Sequence, residues 1–243
     1  MTDLAKRVAL VTGGSRGIGQ AIAVSLADAG AAVAVNYREK AAEAEVVVAA
    51  IEAKGGKALA VRADVSQAAE VARMMAEVEG ARGPVDVLVN NAGVGLVRSV
   101  DDLTEADFDL TIAVNLKSVF LCTQAVIPAM RARRWGRIVN ISSGAARGAG
   151  GVGPHYNASK AGMEGMTRGY AARLVKDGIT VNAVAPSLIE TDMVKQGLAS
   201  AASRIPLGRF GTPEECAQIV LMLAGNAYMT GQTVALSGGM SFV

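Results

Sequence analysis

The chain has 243 residues, a length that fits one large α/β domain or two small ones and can bury a substantial core. Its 24 Lys and Arg nearly balance 22 Asp and Glu, and aromatic residues make up 4%, which argues against nucleic acid as a partner. One histidine, His155, and two cysteines in apolar helical contexts, Cys122 and Cys216, exclude the common zinc arrangements, so no metal is expected.

The first residues and the hydropathy of the chain bear on its compartment. Met1 leads directly towards a glycine-rich turn without a long apolar core, so we expect no signal peptide. No uninterrupted apolar run approaches the roughly 18 residues of a membrane span, and no membrane partner is expected. Cysteines without a secretory signal are typical of reduced core residues, which predicts a cytoplasmic protein.

Short apolar runs alternate with helical patterns along the whole chain. The predicted strands are Arg7–Thr12, Ala32–Asn36, Lys57–Asp64, Val85–Asn90, Gly136–Ile141, Ile179–Val184 and Gln232–Leu236. The predicted helices are Gln20–Ala29, Glu39–Lys54, Gln67–Glu79, Glu105–Ala113, Leu116–Arg131, Tyr156–Asp177 and one that starts at Pro213 with Thr212 as its N-cap. This alternation predicts a doubly wound, parallel, Rossmann-like sheet of seven strands. Since no linker or repeat interrupts it, we expect a single domain over residues 1–243.

Chemically unusual residues follow immediately after five of the predicted strands. Ligands of parallel α/β sheets bind outside the carboxyl ends of the strands, so these residues predict one binding edge. The five segments are Gly13–Gly19, Asp64, Asn90–Gly93, Ser142–Ser143 and Pro186–Thr191.

The first of these segments is a glycine-rich turn that opens a helix, with glycines at 13, 17 and 19. Glycine permits positive φ and close backbone approach, so backbone amides and a helix N-terminus can face a pyrophosphate. Simple turn chemistry is the alternative. The position at the first strand–helix junction favours nucleotide binding.

The tip of the second strand indicates which nucleotide binds. Asn36-Tyr37-Arg38 carries an arginine where an acid would accept from the ribose 2′-hydroxyl of NAD. Together with Arg16 in the turn, Arg38 can clamp a 2′-phosphate. We therefore expect NADP(H) rather than NAD(H), the alternative being that both arginines are solvated surface groups.

Tyr156 and Lys160 lie four residues apart in a helical segment, so their side chains share one helix face. A phenol ordinarily titrates near ~10, and a fixed cation beside it favours the phenolate. A proton donor with a pKa nearer the working pH is a better general acid or base. Alone, the spacing also fits a loop cap beside a solvated lysine.

Taken together, the motifs resemble the short-chain dehydrogenase/reductase family, in its order and spacing over nearly the whole chain. The matching motifs are the turn Thr12–Gly19, Asp64-Val65, Asn90-Asn91-Ala92-Gly93, Asn115, Ser143, Tyr156-x-x-x-Lys160 and Thr191.

This resemblance implies catalysis by Asn115, Ser143, Tyr156 and Lys160. Tyr156 would give a proton to the carbonyl oxygen while the pro-S hydride of the nicotinamide goes to carbon, and Ser143 would hydrogen-bond that oxygen. Lys160 would depress the pKa of Tyr156 and bond the nicotinamide ribose. Asn115 would hold a water that relays protons to Lys160.

The resemblance also implies cofactor contacts along the binding edge, with Asp64 and Val65 at the adenine and Ile189 and Thr191 at the carboxamide. The expected contacts are Gly13, Ser15, Arg16, Gly17, Ile18, Gly19, Asn36, Tyr37, Arg38, Asp64, Val65, Asn91, Ala92, Gly93, Tyr156, Lys160, Pro186, Ile189 and Thr191.

Two neighbours of these residues are rivals for catalytic roles. Ser142 competes with Ser143, but the family spacing of thirteen residues before Tyr156 favours Ser143 and makes Ser142 structural. His155 could serve as a base. With a complete tetrad present, a place at the pocket rim or in a loop is the preferred interpretation.

Within the family the chain is most similar to 3-oxoacyl-[acyl-carrier-protein] reductases, in its turn and in the segments 189–193, 206–210 and 230–240. This implies a 3-oxoacyl thioester as substrate and an acyl carrier protein as a partner. The basic run 131–137 could meet that acidic protein by charge complementarity, or could be an ordinary solvated helix end.

Three departures weaken the carrier-protein interpretation. Asp177 stands where those reductases often have a base, and Ser187 replaces the glycine of the family's Pro-Gly. The predicted substrate loop spans residues 186–212. Its part between Thr191 and Pro206 is short for a lid that would cover a long acyl chain. A carbonyl reductase for free ketones or acetoacetyl-CoA is therefore an alternative, and a non-catalytic NADP(H) sensor or scaffold a remote one.

Family members are commonly tetramers built on two long helices, here around 116–131 and 156–176, and on the last strand. The second helix carries the small residues Ala161, Gly165, Gly169 and Ala172, which allow close helix approach. A homotetramer is therefore expected.

Overall fold

The computed structural model describes residues 3–191 and 199–242. At its centre is a seven-stranded sheet in the order β3-β2-β1-β4-β5-β6-β7, and every neighbouring pair is parallel. The predicted doubly wound, Rossmann-like sheet is thereby confirmed. The strands are β1 Val8–Val11, β2 Ala32–Tyr37, β3 Lys57–Arg62, β4 Val87–Asn90, β5 Gly136–Ile141, β6 Ile179–Pro186 and β7 Thr233–Leu236.

Helices cover both faces of the sheet. Within the described ranges the α-helices are α1 Gly17–Asp28, α2 Ala41–Glu52, α3 Ala68–Arg82, α4 Glu105–Ile112, α5 Ser118–Arg133, α6 Pro154–Leu174 and α7 Pro213–Gly225. A π-helical segment, Ala113–Lys117, joins α4 to α5, and 3-10 turns occupy Gly144–Ala146, Val175–Asp177 and Ala199–Arg204.

Two apolar layers hold the helices to the sheet. Successive residues of β1 point to opposite faces, so Val11 packs in the layer with α1, α2 and α7, and Leu10 in the layer with α3, α5 and α6. Large buried side chains such as Leu26 and Met130 fill the two layers from the helix side. Because both faces are covered, the central strands read as continuous apolar runs in the sequence.

The two helices predicted at Glu105–Ala113 and Leu116–Arg131 form one continuous helical run, so their predicted separation was wrong. No glycine, cap or proline interrupts the backbone between them, and the chain only widens into a π turn. The run Glu105–Arg133 is long and apolar enough to cross a membrane, since it contains a window of 18 residues with a mean hydropathy of 1.6. No uninterrupted apolar stretch of that length occurs in it. Half of that window is buried in the fold, where α5 packs on β4 and β5, as a core helix does.

Several helix and strand ends can be compared with the ends that local sequence signals predicted. Gly178, with φ 76°, terminates the helical segment that follows α6, as expected. Thr212 caps α7 in a capping box with Glu215, and Pro213 occupies the first turn. β6 continues two residues beyond its predicted end, to Pro186, because it pairs with β7 up to Leu236. β3 ends two residues before its predicted end, and β4 starts two residues after its predicted start.

Candidate active site

Asn91 ties the glycine-rich turn to the end of β4. Its side-chain amide donates to the carbonyl oxygens of Thr12 and Gly13, each at 2.9 Å. In return the Thr12 hydroxyl accepts from the backbone N–H groups of Asn91 and Ala92, each at 3.0 Å. The turn is therefore fixed between β1 and β4, where the strand order reverses and doubly wound sheets bind their ligands.

The turn and the start of α1 fit a dinucleotide pyrophosphate. Gly17 has a φ of 54°, which favours glycine, and a Cβ added at Gly19 would collide with the carbonyl oxygen of Gly13. The helix starts without a side-chain cap and has no acid in its first turn. Since these residues line a cleft, the N-terminal N–H groups of α1 are available there as donors to an anion.

Asn36, at the tip of β2, is a buried support for this turn. Its Oδ1 accepts from the N–H of Gly13 at 3.2 Å, and its Nδ2 donates to the carbonyl oxygens of Val61 and Ala63 at 3.3 and 3.1 Å. The amide thus joins β1, β2 and β3 at the binding edge. The sequence had indicated only that no acid stands here.

Three cations surround the tip of β2: Arg16, Arg38 and Lys40. Arg38 forms an ion pair with its neighbour Glu39 at 2.7 Å, and both side chains are exposed. Lys40 was missed by the sequence analysis, although its position two residues after Arg38 was a usable signal. The tip therefore presents net positive charge with one acid among the cations.

Asp64 closes the turn that follows β3. Its Oδ1 accepts from the backbone N–H of Ser66 at 2.9 Å and from the Ser66 hydroxyl at 2.7 Å. Its own N–H donates to Glu70 at 2.7 Å. The carboxylate is half-buried and holds the loop beside Val65 in shape.

A cleft of about 410 Å³ runs along the carboxyl edge of the sheet. All nineteen residues expected to contact the cofactor line it, and the catalytic candidate Ser143 does as well. Asn115 is not part of the lining. The lining residues that the sequence did not indicate are Glu39, Lys40, Ala63, Val94, Val114 and Ile141. Ser142 and Ser187 also line the cleft; they lie in segments predicted for the binding edge but had no cofactor contact assigned to them.

Tyr156 and Ser143 meet in this cleft from the first turn of α6 and the end of β5. Their hydroxyls share a hydrogen bond, and the Ser143 Oγ also accepts from the N–H of Ala145 at 3.2 Å. Burial raises the pKa of Tyr156 above its usual value, while the hydrogen bond with Ser143 acts in the opposite direction. The phenol is therefore protonated at neutral pH.

Lys160 is buried one turn further along α6. Its Nζ donates to the carbonyl oxygen of Ile141 at 2.8 Å and lies 5.7 Å from the centre of the Tyr156 ring. Burial lowers the pKa of Lys160 to about 8. The expectation that Lys160 depresses the pKa of Tyr156 was wrong for this structure, because burial of the phenol is the dominant influence.

Asn115 lies in the π-helical segment and is fully buried. Its Oδ1 accepts from the N–H of Val94 at 2.8 Å, and its Nδ2 donates to the Val94 carbonyl at 3.0 Å and to the Ser159 hydroxyl at 3.1 Å. The side chain thus joins the segment after β4 to α6, next to Lys160. This is a positioning contact that the sequence did not reveal.

The sequence of residues 7–201 matches the family model for short chain dehydrogenases. The chain belongs to this family. It is an oxidoreductase that acts on CH–OH and C=O groups with a nicotinamide cofactor, as the resemblance of its motifs implied.

Relatives of this short-chain dehydrogenase cover nearly its whole length. A 3-oxoacyl-[acyl-carrier-protein] reductase of Synechocystis is 44% identical over 99% of each chain. The (2S)-[(R)-hydroxy(phenyl)methyl]succinyl-CoA dehydrogenase subunit BbsD of Thauera aromatica is 42% identical over 97% of this chain and 96% of its own. A dehydrogenase/reductase of Sinorhizobium meliloti superposes with a TM-score of 0.91 at 40% identity, covering 98% of this chain and 96% of its own.

The two neighbouring serines of the dehydrogenase face different partners. The Ser142 hydroxyl donates to Glu164 Oε1 at 3.2 Å and to the Lys160 carbonyl at 3.4 Å, and it is buried. Ser143 is the one that hydrogen-bonds Tyr156. The geometry therefore agrees with the expected assignment of Ser142 to structure and Ser143 to the site.

His155 lies in the interior and not at the pocket rim or in a loop, so that expectation was wrong. It is 1% exposed, and its Nε2 is 3.0 Å from the carbonyl oxygen of Leu96. As a carbonyl only accepts, Nε2 carries the proton. The ring links the start of α6 to the segment after β4. The helix begins at Pro154, two residues before its predicted start at Tyr156, so His155 lies in its first turn.

The basic run at residues 131–137 lies at the amino edge of the sheet, opposite the cleft. Its arginines have partners within the chain: Arg131 pairs with Asp177 at 2.7 Å, and Arg133 with Asp86 at 3.2 Å. Arg134 donates to the carbonyl of Lys176 at 2.7 Å, and Arg137 is buried against Trp135. The structure thus favours the helix-end interpretation over a carrier-protein contact.

Proposed function

We propose that the protein is an NADPH-dependent reductase that converts the ketone of a 3-oxoacyl thioester into a secondary alcohol. The observation that carries the proposal is the Tyr156–Ser143 hydrogen bond beside the buried Lys160, in the same cleft as the glycine-rich turn. The 3-oxoacyl-[acyl-carrier-protein] reductase among the relatives supports the thioester as substrate.

When bound, the nicotinamide supplies the hydride for the carbonyl carbon. Tyr156 is the proton donor to the oxygen, and its raised pKa keeps the phenol protonated until negative charge develops there. Ser143 donates a hydrogen bond to the same oxygen and orients the phenol. Lys160 adds positive charge near the Tyr156 ring, and its hydrogen bond to the carbonyl oxygen of Ile141 holds the ammonium in place.

Positive charge at the tip of β2 supports NADP(H) over NAD(H). Arg16, Arg38 and Lys40 line this end of the cleft, and the residue at the strand tip is the amide Asn36. Guanidiniums bind a phosphate in bidentate fashion, which suits a 2′-phosphate.

The protein would work in the cytoplasm as a homotetramer, with an acyl carrier protein delivering the thioester to the carboxyl edge of the sheet. A CoA thioester or a free ketone is the second candidate substrate. The name of the Thauera aromatica relative specifies a CoA thioester, which supports a CoA thioester over a free ketone as this second candidate.

Oxidation of NADPH in the presence of different ketones tests the proposal. The panel compares acetoacetyl-carrier protein, acetoacetyl-CoA and free monoketones, and we expect the highest kcat/KM on a 3-oxoacyl thioester. No turnover on any ketone, with tight NADPH binding retained, would mean a sensor or scaffold.

The proton donor is tested by Tyr156→Phe, which keeps the ring and removes the hydroxyl. We expect kcat to fall by about 10²–10⁴-fold, the usual contribution of general acid catalysis. Tyr228→Phe, at a 99% exposed position, is the matched control and should retain wild-type activity. Full activity of Tyr156→Phe would remove Tyr156 from the mechanism.

A further inference from the structure

Ser187 lies in the cleft directly after Pro186, the last residue of β6. Its backbone N–H donates to the carbonyl of Leu236 at 2.9 Å, which fixes the position of the residue at the sheet edge. The side chain is half-buried and lines the cleft. Neither the catalytic cluster nor the proposed cofactor contacts include it.

The Ser187 hydroxyl faces the segment that carries Ser143. A Cβ built on Gly144 would lie 2.6 Å from the Ser187 Oγ, so the oxygen packs against the Gly144 backbone. Gly144 is the residue after Ser143 in the chain. The hydroxyl is thus positioned beside the proposed site of carbonyl reduction, on the side away from β4.

This hydroxyl makes no hydrogen bond to any residue that the structure describes. Its neighbours along the cleft wall, Pro186 and Ile189, offer apolar surface. A half-buried hydroxyl in such a place is a donor available to a bound molecule. Loss of a hydrogen bond to such a donor discriminates strongly between ligands that can accept and those that cannot.

We propose that Ser187 is a specificity-determining residue that donates a hydrogen bond to a second carbonyl oxygen of the substrate. In a 3-oxoacyl thioester one methylene separates the thioester carbonyl from the ketone. The second oxygen therefore lies close to the first when the ketone meets Tyr156 and Ser143. The inference rests on the proposed function and names the substrate class as ketones with a carbonyl at the β position.

Two ketones of equal length test the inference with the full-length protein and NADPH. Ethyl acetoacetate carries a second carbonyl where the thioester has one, and 2-heptanone lacks it. For wild-type protein and Ser187→Ala, the ratio of kcat/KM values for the two ketones is measured. We expect the ratio to fall about tenfold in Ser187→Ala, as for loss of one neutral hydrogen bond.

Further variants separate the hydroxyl from the volume of the side chain. Ser187→Gly should lower the ratio like Ser187→Ala, and should in addition raise kcat/KM for a β-ketoester branched at the carbon between its carbonyls. Ser25→Ala on α1, away from the cleft lining, is the control and should keep the wild-type ratio.

An unchanged ratio in Ser187→Ala would overturn the inference. An equal loss on both ketones, or a rise only in the KM for NADPH, would also overturn it, because the hydroxyl would then serve the fold or the cofactor. If the wild-type protein reduced neither ketone nor any thioester, the proposed function itself would fail instead.

Discussion

Lys160 combines two features that oppose each other, a charge and nearly complete burial. Its side chain is 4% exposed, and one carbonyl oxygen, that of Ile141, accepts from its ammonium. Desolvation disfavours the charged form, which lowers the pKa from 10.5 to about 8. Burial of the Lys160 ammonium therefore lowers the stability of the folded protein, while it places a cation in the site.

This cost makes a prediction about stability and pH. Between about 8 and about 10.5 the unfolded chain holds the Lys160 proton while the folded chain has lost it, so stability from this group rises with pH. In Lys160→Met this rise disappears. We expect the free energy of unfolding of wild type, relative to Lys160→Met, to increase from pH 7 to pH 10.

The magnitude is on the order of 3 kcal/mol, as a shift of one pKa unit corresponds to about 1.4 kcal/mol. Urea denaturation across this range measures it, with the exposed Lys117→Met as a control for loss of a charge. A difference that stays constant with pH would contradict the assigned burial cost.

Arg38 allows a second test at the residue scale, concerning cofactor choice. Charge-assisted hydrogen bonds are worth about 1.5–3 kcal/mol, so Arg38→Asp should move the NADPH/NADH ratio of kcat/KM values roughly 10–100-fold towards NADH. The exposed pair with Glu39 competes for the same guanidinium but is weak. Glu39→Gln should therefore raise the ratio a few-fold. An unchanged ratio in Arg38→Asp would refute the phosphate clamp.

At the scale of elements, helix α6 supports the catalytic residues and the glycine-rich loop 144–153 together. Its buried Glu164 accepts from Ser142 at 3.2 Å and pairs with Arg147 of that loop at 2.9 Å. One helix thus presents Tyr156 and Lys160 and, two turns after Tyr156, anchors the segment that includes Ser143.

Breaking this anchor should destabilise the fold. Arg147→Met leaves the buried carboxylate of Glu164 with Ser142 as its remaining partner, and we expect a loss of about 1–3 kcal/mol. In the double variant Arg147→Met/Glu164→Gln the loss should be smaller than the sum of the single losses, because the uncompensated charge is gone. Urea denaturation of the wild type, Arg147→Met, Glu164→Gln and the double variant measures the coupling energy of the pair. Strictly additive losses would show that the contact carries no energy.

Across the whole molecule, the parallel sheet separates two edges with different contents. The carboxyl edge holds the cleft, and the amino edge holds the internally paired arginines in the last turn of α5 and just after it. On the outer surface, α6 exposes Ala161, Gly165 and Ala172, and a Cβ at Gly165 would meet no atom within 4 Å. Nearby α5 exposes Phe120 at 46%. Such a surface supports the proposed tetramer.

Gly165→Arg tests the assembly. Arginine has a better helix propensity than glycine, so the fold should be kept while a bulky charge blocks close helix approach. If the protein is the proposed tetramer, we expect Gly165→Arg to have a smaller mass than the wild type in light scattering coupled to size exclusion. Gly80→Arg in α3, with equally open space, is the control and should keep the wild-type mass. An unchanged mass for Gly165→Arg would place the interface elsewhere.

The seven-stranded parallel sheet and most of the cleft residues could be predicted from the sequence. Strand–helix alternation and strand-end position are local properties, and a parallel sheet brings every carboxyl end to one edge whatever the details of packing. For that reason Gly17, Asn91 and Tyr156 could be assigned to one site before their contacts were known. The glycine stop at Gly178 and the cap at Thr212 are equally local and were also predicted.

The contacts between residues distant in the chain became known from the three-dimensional structure alone. The burial that shifts the pKa values of Tyr156 and Lys160 depends on packing against other elements. The role of His155 and the partners of the arginines at the end of α5 depend on it as well. The meeting of Ser187 with Gly144 joins segments that follow two different strands. No sequence period encodes such contacts, because they arise from the distances between elements once the whole core has closed.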